Sequence, residues 1–172
     1  MMEKLGYGPS NRIAVKLSTR NIIPTRDTAV LLIDQLKEIY IDGELELIDT
    51  TLWYPKLMRK DFTVAVVVSE NGLDDPDQSF YEYYVCGAER NYSGYCNPEL
   101  DKLIDRQSME ADLEKRRRLV WEIERQLAED GVRPAIFQAR AAICVQPRVK
   151  GLTLMVNGIY NGSRFEDIWL DR

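Results

Sequence analysis

The sequence predicts an α/β fold, a mixed β-sheet flanked by helices, on three observations. Residues 12–18 (RIAVKLS) and 44–49 (ELELID) alternate apolar side chains with others, the period of a half-buried strand. Between them Ala29, Leu32, Ile33, Leu36 and Ile39 or Tyr40 recur every three or four residues, the period of a helix with one apolar face. A strand, helix, strand order of this kind makes the two strands parallel with a right-handed crossover. The third observation is VAVVV at 64–68, an apolar and β-branched run within an expected strand over 62–68 that would lie centrally, covered on both faces.

The remaining elements follow in chain order. Residues 1–8 read as the end of a helix, stopped by Gly6, Gly8 and Pro9. Thr25 is placed to cap the first long helix, and Asp42-Gly43 to end it in a turn. Thr50 or Thr51 opens a short helix reaching Lys60, with Trp53, Leu57 and Met58 inward and Pro55 delaying or bending it. After an acidic Gly/Asp/Pro corner, residues 79–85 form an aromatic helix that leads into a loop between two cysteines. Asn97 caps and Pro98 begins a helix to about Arg106. Asp112 opens the longest helix, 113–129, with Leu113, Arg117, Val120, Ile123 and Leu127 on one stripe and Trp121 beside it as core. Asp130-Gly131 closes that helix, and Pro134 blocks its continuation. Short strands are expected over 135–139, 141–145 and 152–156, with a loop over 146–150 and turns at Asn157-Gly158 and Asn161-Gly162. Residues 164–172 carry Phe165, Ile168, Trp169 and Leu170, an apolar tail.

Composition narrows the function. With 172 residues, 45% hydrophobic and 30% charged, the chain can bury one real core. A net charge of −5 and a pI near 4.9 argue against nucleic acid as a partner. The basic run Lys115–Arg118 sits amid Glu110, Asp112, Glu114 and Glu122 and reads as a solvated helix face with ion pairs. No apolar run nears the ~20 residues that a spanning helix needs. No signal peptide precedes Met1, which bears no weight on export if the chain is a piece of a longer protein. There is no histidine and there are three cysteines, so neither a structural zinc site nor a histidine general base is expected, and no cofactor is implied.

Several motifs occur in a telling order: DDPDQSFY, NYSGYCNPELDKLID, DLEKRRRLVWEIERQLAED, then VKGLTL before FEDIWLD. Together they resemble the C-terminal portion of the periplasmic substrate-binding proteins of peptide ABC importers, the dipeptide- and oligopeptide-binding group (family 5 extracellular solute-binding proteins). The resemblance extends over nearly all of the chain. It implies one lobe of a periplasmic-binding-protein type II-like fold, a fragment of a larger two-lobe protein. Residues 1–156 would form the C-terminal ligand-binding lobe. Residues 157–172 would be a tail that in relatives returns to the other lobe, and that in an isolated chain would pack differently, fray or dimerise. A disulfide between Cys86 and Cys96 is expected, with two reduced thiols as the alternative; dipeptide-binding relatives carry a similar bridge. Cys144 lies in an apolar run and reads as a small buried hydrophobe.

The acidic corner gathers Glu70, Asp74, Asp75 and Asp77. Paired carboxylates are the raw material of acid–base catalysis or of a calcium site through Asp74, Asp77 and carbonyls, but no Ser-His pair or Walker loop accompanies them. A binding role asks less. In open α/β sheets ligands sit beyond the carboxyl ends of strands, and the 62–68 strand ends here. Relatives use an aspartate on the equivalent loop for the ligand's α-ammonium group. At the corresponding place, four residues before Pro76, this chain has Gly72, and Val67-Val68-Ser69 replaces the usual aromatic, so a modified solute, a sugar or an opine-like compound competes with a standard dipeptide. Asp74 and Asn71, with Glu70, are the ligand candidates, and Tyr92 and Tyr95 candidates to line the cleft. Asp75 and Asp77 serve equally well as a helix cap and first turn.

The resemblance therefore implies a non-enzymatic, periplasmic solute-binding lobe, partnered by a peptide-like solute and by the membrane permease of an ABC importer. It would act by hinge closure. A solute-sensing module of a regulatory protein and a hydrolase using the acidic corner are the competing readings.

Overall fold

β1 (Ile13–Arg20) lies between β2 (Ile41–Ile48) and β3 (Val64–Val66), and both neighbours run parallel to it. The computed structural model describes residues 1–69, 72, 73, 75–137, 142–154 and 164–171. The chain divides into two compact units, Met1–Ser69 and Glu70–Arg172.

In the first unit the expected β-α-β crossover is present. The helix α1 (Ile23–Leu36) packs on one face of the sheet, where Leu17, Ala29 and Val66 are buried with Val15, Leu32, Ile33, Leu36, Leu45 and Val64 around them. The capping assignment is corrected. Ile22 stands at the N-cap with no side-chain bond, while Thr25 is buried inside the first turn and donates to the Arg20 and Ile22 carbonyls (3.1 and 3.3 Å). Asp42-Gly43 does not form the closing turn. Tyr40, at φ +65°, reverses the chain, and both residues belong to β2. Gly43 is needed there because α1 passes close: a Cβ would meet Ile33 Cγ1 at 2.7 Å and Leu17 Cδ1 at 3.0 Å.

The helix α2 spans Thr50–Met58, capped by Asp49, whose carboxylate accepts from the Thr51 N–H at 2.8 Å. It starts on time despite Pro55, buries Trp53 and Leu57 and leaves Met58 exposed. The 62–68 run is not the central strand. Only Val64–Val66 pairs, at the edge of the sheet among the described residues, and the Thr19 hydroxyl donates to the Val66 carbonyl (3.0 Å) across that pairing. β1, with more polar residues, takes the centre.

The second unit is built from α3 (Pro76–Tyr83), α4 (Pro98–Ser108) and α5 (Leu113–Glu129) around Phe80, Leu100, Ile104, Ile123 and Leu127. Asn97 and Asp112 cap α4 and α5 as the sequence predicts, each accepting two backbone N–H groups. Asp130 and Gly131 (φ +63°) end α5. Several readings of this unit are corrected. Trp121 is 59% exposed because its position falls off the stripe holding Ile123 and Leu127, and Leu113, the first residue of the helix, is 68% exposed. Cys144 is exposed, in a segment that forms no strand among its described residues 142–145. The expected strands at 135–139 and 152–156 are likewise absent over 135–137 and 152–154, and their remaining residues, with the turns at 157–158 and 161–162, lie outside the described residues. A ladder forms instead in the expected loop: β4 (Val149–Lys150) pairs antiparallel with β5 (Trp169–Leu170) of the tail. The α/β class with parallel strands flanked by helices holds.

Candidate functional site

Asp75 and Asp77 of the acidic corner belong to a clasp within the second unit. Asp75 is the N-cap of α3, in extended backbone, its carboxylate accepting from the Asp77 N–H at 2.9 Å, and Pro76 fills the first helical position. The same carboxylate receives both ends of the Arg116 guanidinium, Nη1 at 2.9 Å and Nη2 at 2.7 Å. This fork-to-fork pair is the strong form of a charge-assisted hydrogen bond. Arg116 thus departs from the solvated face expected for Lys115–Arg118, whereas Arg117 pairs with Glu114 on the surface as expected. Arg116 Nε donates to the Gln107 side-chain oxygen at 3.1 Å. Gln107, fully buried, donates in turn to Asp77, whose other oxygen accepts from the Ser108 hydroxyl at 2.6 Å. One chain of donors and acceptors therefore locks the start of α3 to the end of α4 and the first turn of α5. The Arg116 bonds hold the Asp75 carboxyl below its ordinary pKa against the opposing pull of burial.

Beside the clasp lies an open depression of about 550 Å³ lined by Gly72, Leu73, Asp77, Gln78, Tyr81 and Glu82. The Gln78 amide spans it, accepting from the Leu73 N–H (3.0 Å) and donating to Glu82 (3.1 Å). The Tyr81 hydroxyl donates to Asp105 (2.7 Å); burial first and that bond second raise its pKa. Its carboxylate oxygens are engaged, Asp77 with Gln107 and Ser108 and Glu82 with Gln78 and Arg90, and Leu73 leaves an exposed apolar side chain on its wall. Of the sequence candidates, Glu70, Asn71 and Asp74 lie outside the described residues.

The cysteine loop is held twice over. Cys86 and Cys96 form the expected disulfide. Within the ring Asn91, 3% exposed, donates to the Val85 carbonyl (3.1 Å) and the Tyr95 carbonyl (2.6 Å) and accepts from the Ser93 hydroxyl (3.1 Å). The Cys86 N–H donates to the Asp101 carboxylate in the first turn of α4 (3.2 Å). Tyr92 is 8% exposed. Tyr95 is half-buried against the core, and its hydroxyl donates to Asp130 at 2.7 Å. Sequence reasoning missed the Arg116–Gln107–Asp77 chain. Its partners stand 9 and 30 residues apart, and the surrounding acidic residues disguised Arg116 as a surface charge.

No family model matches the sequence, and no curated protein does. Solved structures do match. OppA of Burkholderia pseudomallei shares 19% identity over 99% of this chain and 33% of its own, at a TM-score of 0.81. OppA of Haemophilus influenzae, solved with the peptide RPPGFSPFR, gives 20%, 99%, 33% and 0.79. NikA of Staphylococcus aureus, solved with Ni(L-His)2, gives 18%, 92%, 34% and 0.70. The chain has the fold of the matching part of these proteins and spans about a third of their length.

Proposed function

We propose that this chain is one lobe of an extracytoplasmic solute-binding protein of an ABC importer, acting in binding and delivery and not in catalysis. What supports the reading is continuous agreement of backbone over 99% of the chain with a third of two OppA structures, one of them holding a nonapeptide. The disulfide at Cys86–Cys96 suits an oxidising, periplasmic compartment. Within this reading residues 1–156 are the ligand-binding lobe and 157–172 the tail that returns to the second lobe. In an isolated chain the exposed Phe165, Trp169 and Leu170 would pair two copies. The solute is a peptide or peptide-like compound, gripped when the two lobes close about a hinge. Glu70, Asn71 and Asp74 supply its polar contacts, and Tyr92 and Tyr95 shape the wall. A membrane permease receives the loaded protein.

The test uses the full-length protein and a panel of di-, tri- and oligopeptides, sugars and opines in a thermal-shift screen. A ligand at a hundred times its Kd should stabilise by about 2.7 kcal/mol, and Asp74→Ala should remove most of that gain. If no peptide-like compound raises the melting temperature, the ligand class is wrong. If a hit is untouched by Asp74→Ala, the site is wrong and the class stands. The isolated lobe should bind far more weakly, lacking half of the contacts.

A further inference from the structure

In the first unit, the sheet face opposite α1 is polar. Lys16 and Ser18 of β1, Glu46 of β2, Lys56 of α2 and the following residues Lys60, Asp61, Phe62 and Thr63 line an open depression of about 510 Å³. Its carboxylates are already engaged. Glu46 accepts from the Ser18 hydroxyl at 2.5 Å and lies 3.4 Å from Lys56 and 3.9 Å from Lys16, and Lys56 also reaches Asp61 at 3.4 Å. Three ammonium groups therefore face two carboxylates, one positive charge in excess on a chain whose net charge is −5. Lys60 forms no ion pair or side-chain hydrogen bond among the described residues, and neither does the Thr63 hydroxyl. Lys16, at 3.9 Å, is only loosely held. The donors without a hydrogen bond are thus two ammonium groups and one hydroxyl, while both carboxylates already face lysines.

Backbone geometry adds an independent observation. The C-terminus of α2 closes with the Lys60 N–H on the Leu57 carbonyl (2.9 Å) and the Asp61 N–H on the Lys56 carbonyl (3.2 Å). That motif puts Lys60 at φ +56°, where helices usually place glycine. A lysine in this strained position keeps a cation at the mouth of the depression where glycine would be the more comfortable residue. We propose that this depression is a binding site for a small oxyanion, of which phosphate is the simplest, held by Lys60 and Lys16 with Thr63 donating from the rim. Lysine suits that task as a compact point charge with three donors.

The experiment titrates sodium phosphate into the 172-residue chain and into its variants, with sodium chloride at matched ionic strength as the control. The readouts are melting temperature and amide NMR shifts. Saturable shifts confined to residues 16, 18, 46, 56 and 60–63 are expected for the wild-type chain. Lys16→Gln should weaken binding about tenfold, the loss of one charge-assisted contact. Lys60→Gly separates the roles: it should raise the melting temperature without phosphate, by relieving strain, and abolish the phosphate response. Asp61→Asn, removing a competing charge, should tighten binding. The proposal fails if sodium chloride reproduces the shifts, which would mean an adventitious ion only. It also fails if Lys60→Gly responds to phosphate like the wild-type chain, which would leave Lys60 as a mere helix terminus.

Discussion

The two units of this chain solve the same problem by different means. Met1–Ser69 is organised by apolar burial between a parallel sheet and one helix, with Leu17 and Ala29 fully buried at the contact. Glu70–Arg172 has an apolar centre too, but three helices surround it, their ends are fastened by the Arg116–Asp75–Asp77–Gln107 clasp, and a disulfide and the buried Asn91 hold the loop between two of them. Helix ends leave N–H and C=O groups to satisfy, and here Asp75, Asn97 and Asp112 cap all three helices, so polar side chains carry a large share of the specification there. The comparison teaches that one unit should fail by cavities and the other by broken polar links.

The largest expected effect tests the first half of that statement. Leu17→Ala removes a fully buried side chain facing Ala29 and Val66 and should cost about 2–5 kcal/mol, read from the urea midpoint at unchanged m-value. Trp121→Ala, on the exposed side of α5, should stay within about 0.5 kcal/mol although it deletes more atoms. If Trp121→Ala costs as much as Leu17→Ala, burial does not set the scale. Next comes the cysteine ring. Replacing Cys86 and Cys96 by serine frees a ten-residue separation and should cost about 2–3 kcal/mol. Because Asn91 ties the ring internally, NMR shifts of residues 87–95 should still report the native loop; their collapse to random-coil values would assign the loop's shape to the bridge alone.

These two regions also differ in how far the sequence disclosed them. Period-two and period-3.6 patterns announced β1, α1, β2 and α5, and cap residues fixed the starts of α4 and α5, because local side chains decide those features. The error at Asp42-Gly43 has the opposite origin. Gly43 looks like a turn residue in one dimension, and only the close approach of Ile33 of α1 explains it as a strand residue. The run at 62–68 was misplaced for a similar reason: apolar content suggests a central strand, but pairing partners decide the position, and Thr19 and Ser18 made β1 look less central than it is. In the candidate site, Asp75 and Asp77 were legible as cap and first turn, whereas Arg116 and Gln107 were not, since nothing local links residues 41 and 30 positions from their partners.

The clasp supplies the next test. Arg116→Leu leaves the Asp75 carboxylate without its fork and removes one partner of the buried Gln107. The pair keeps solvent contact, Asp75 being 39% exposed, so the expected loss is about 1 kcal/mol and not the several that a fully buried pair would show. A double-mutant cycle with Asp75→Asn isolates the coupling. A coupling energy indistinguishable from zero would demote the clasp to a surface contact.

The smallest effect is the most specific, because it turns on charge alone. In the folded chain the Arg116 hydrogen bonds, and then the Asp77 N–H, hold the Asp75 pKa below its ordinary 3.8. A carboxyl depressed on folding contributes stability that is fully present above its unfolded pKa and is lost as pH falls through the folded one. The loss should therefore set in near pH 3.8 and continue below it. Asp75→Asn keeps an oxygen for the cap but cannot titrate, so its stability should fall less steeply across that window, by a few tenths of a kcal/mol after solvent screening. Glu46 offers the matching probe in the other unit: the Ser18 hydroxyl, then Lys56, hold it below its ordinary 4.5, so Glu46→Gln should flatten a window that opens at higher pH. Urea midpoints taken from pH 7 to pH 2 would separate the two. If both variants flatten the same pH range, the acid response belongs to the chain's overall charge and not to two distinct local pairs.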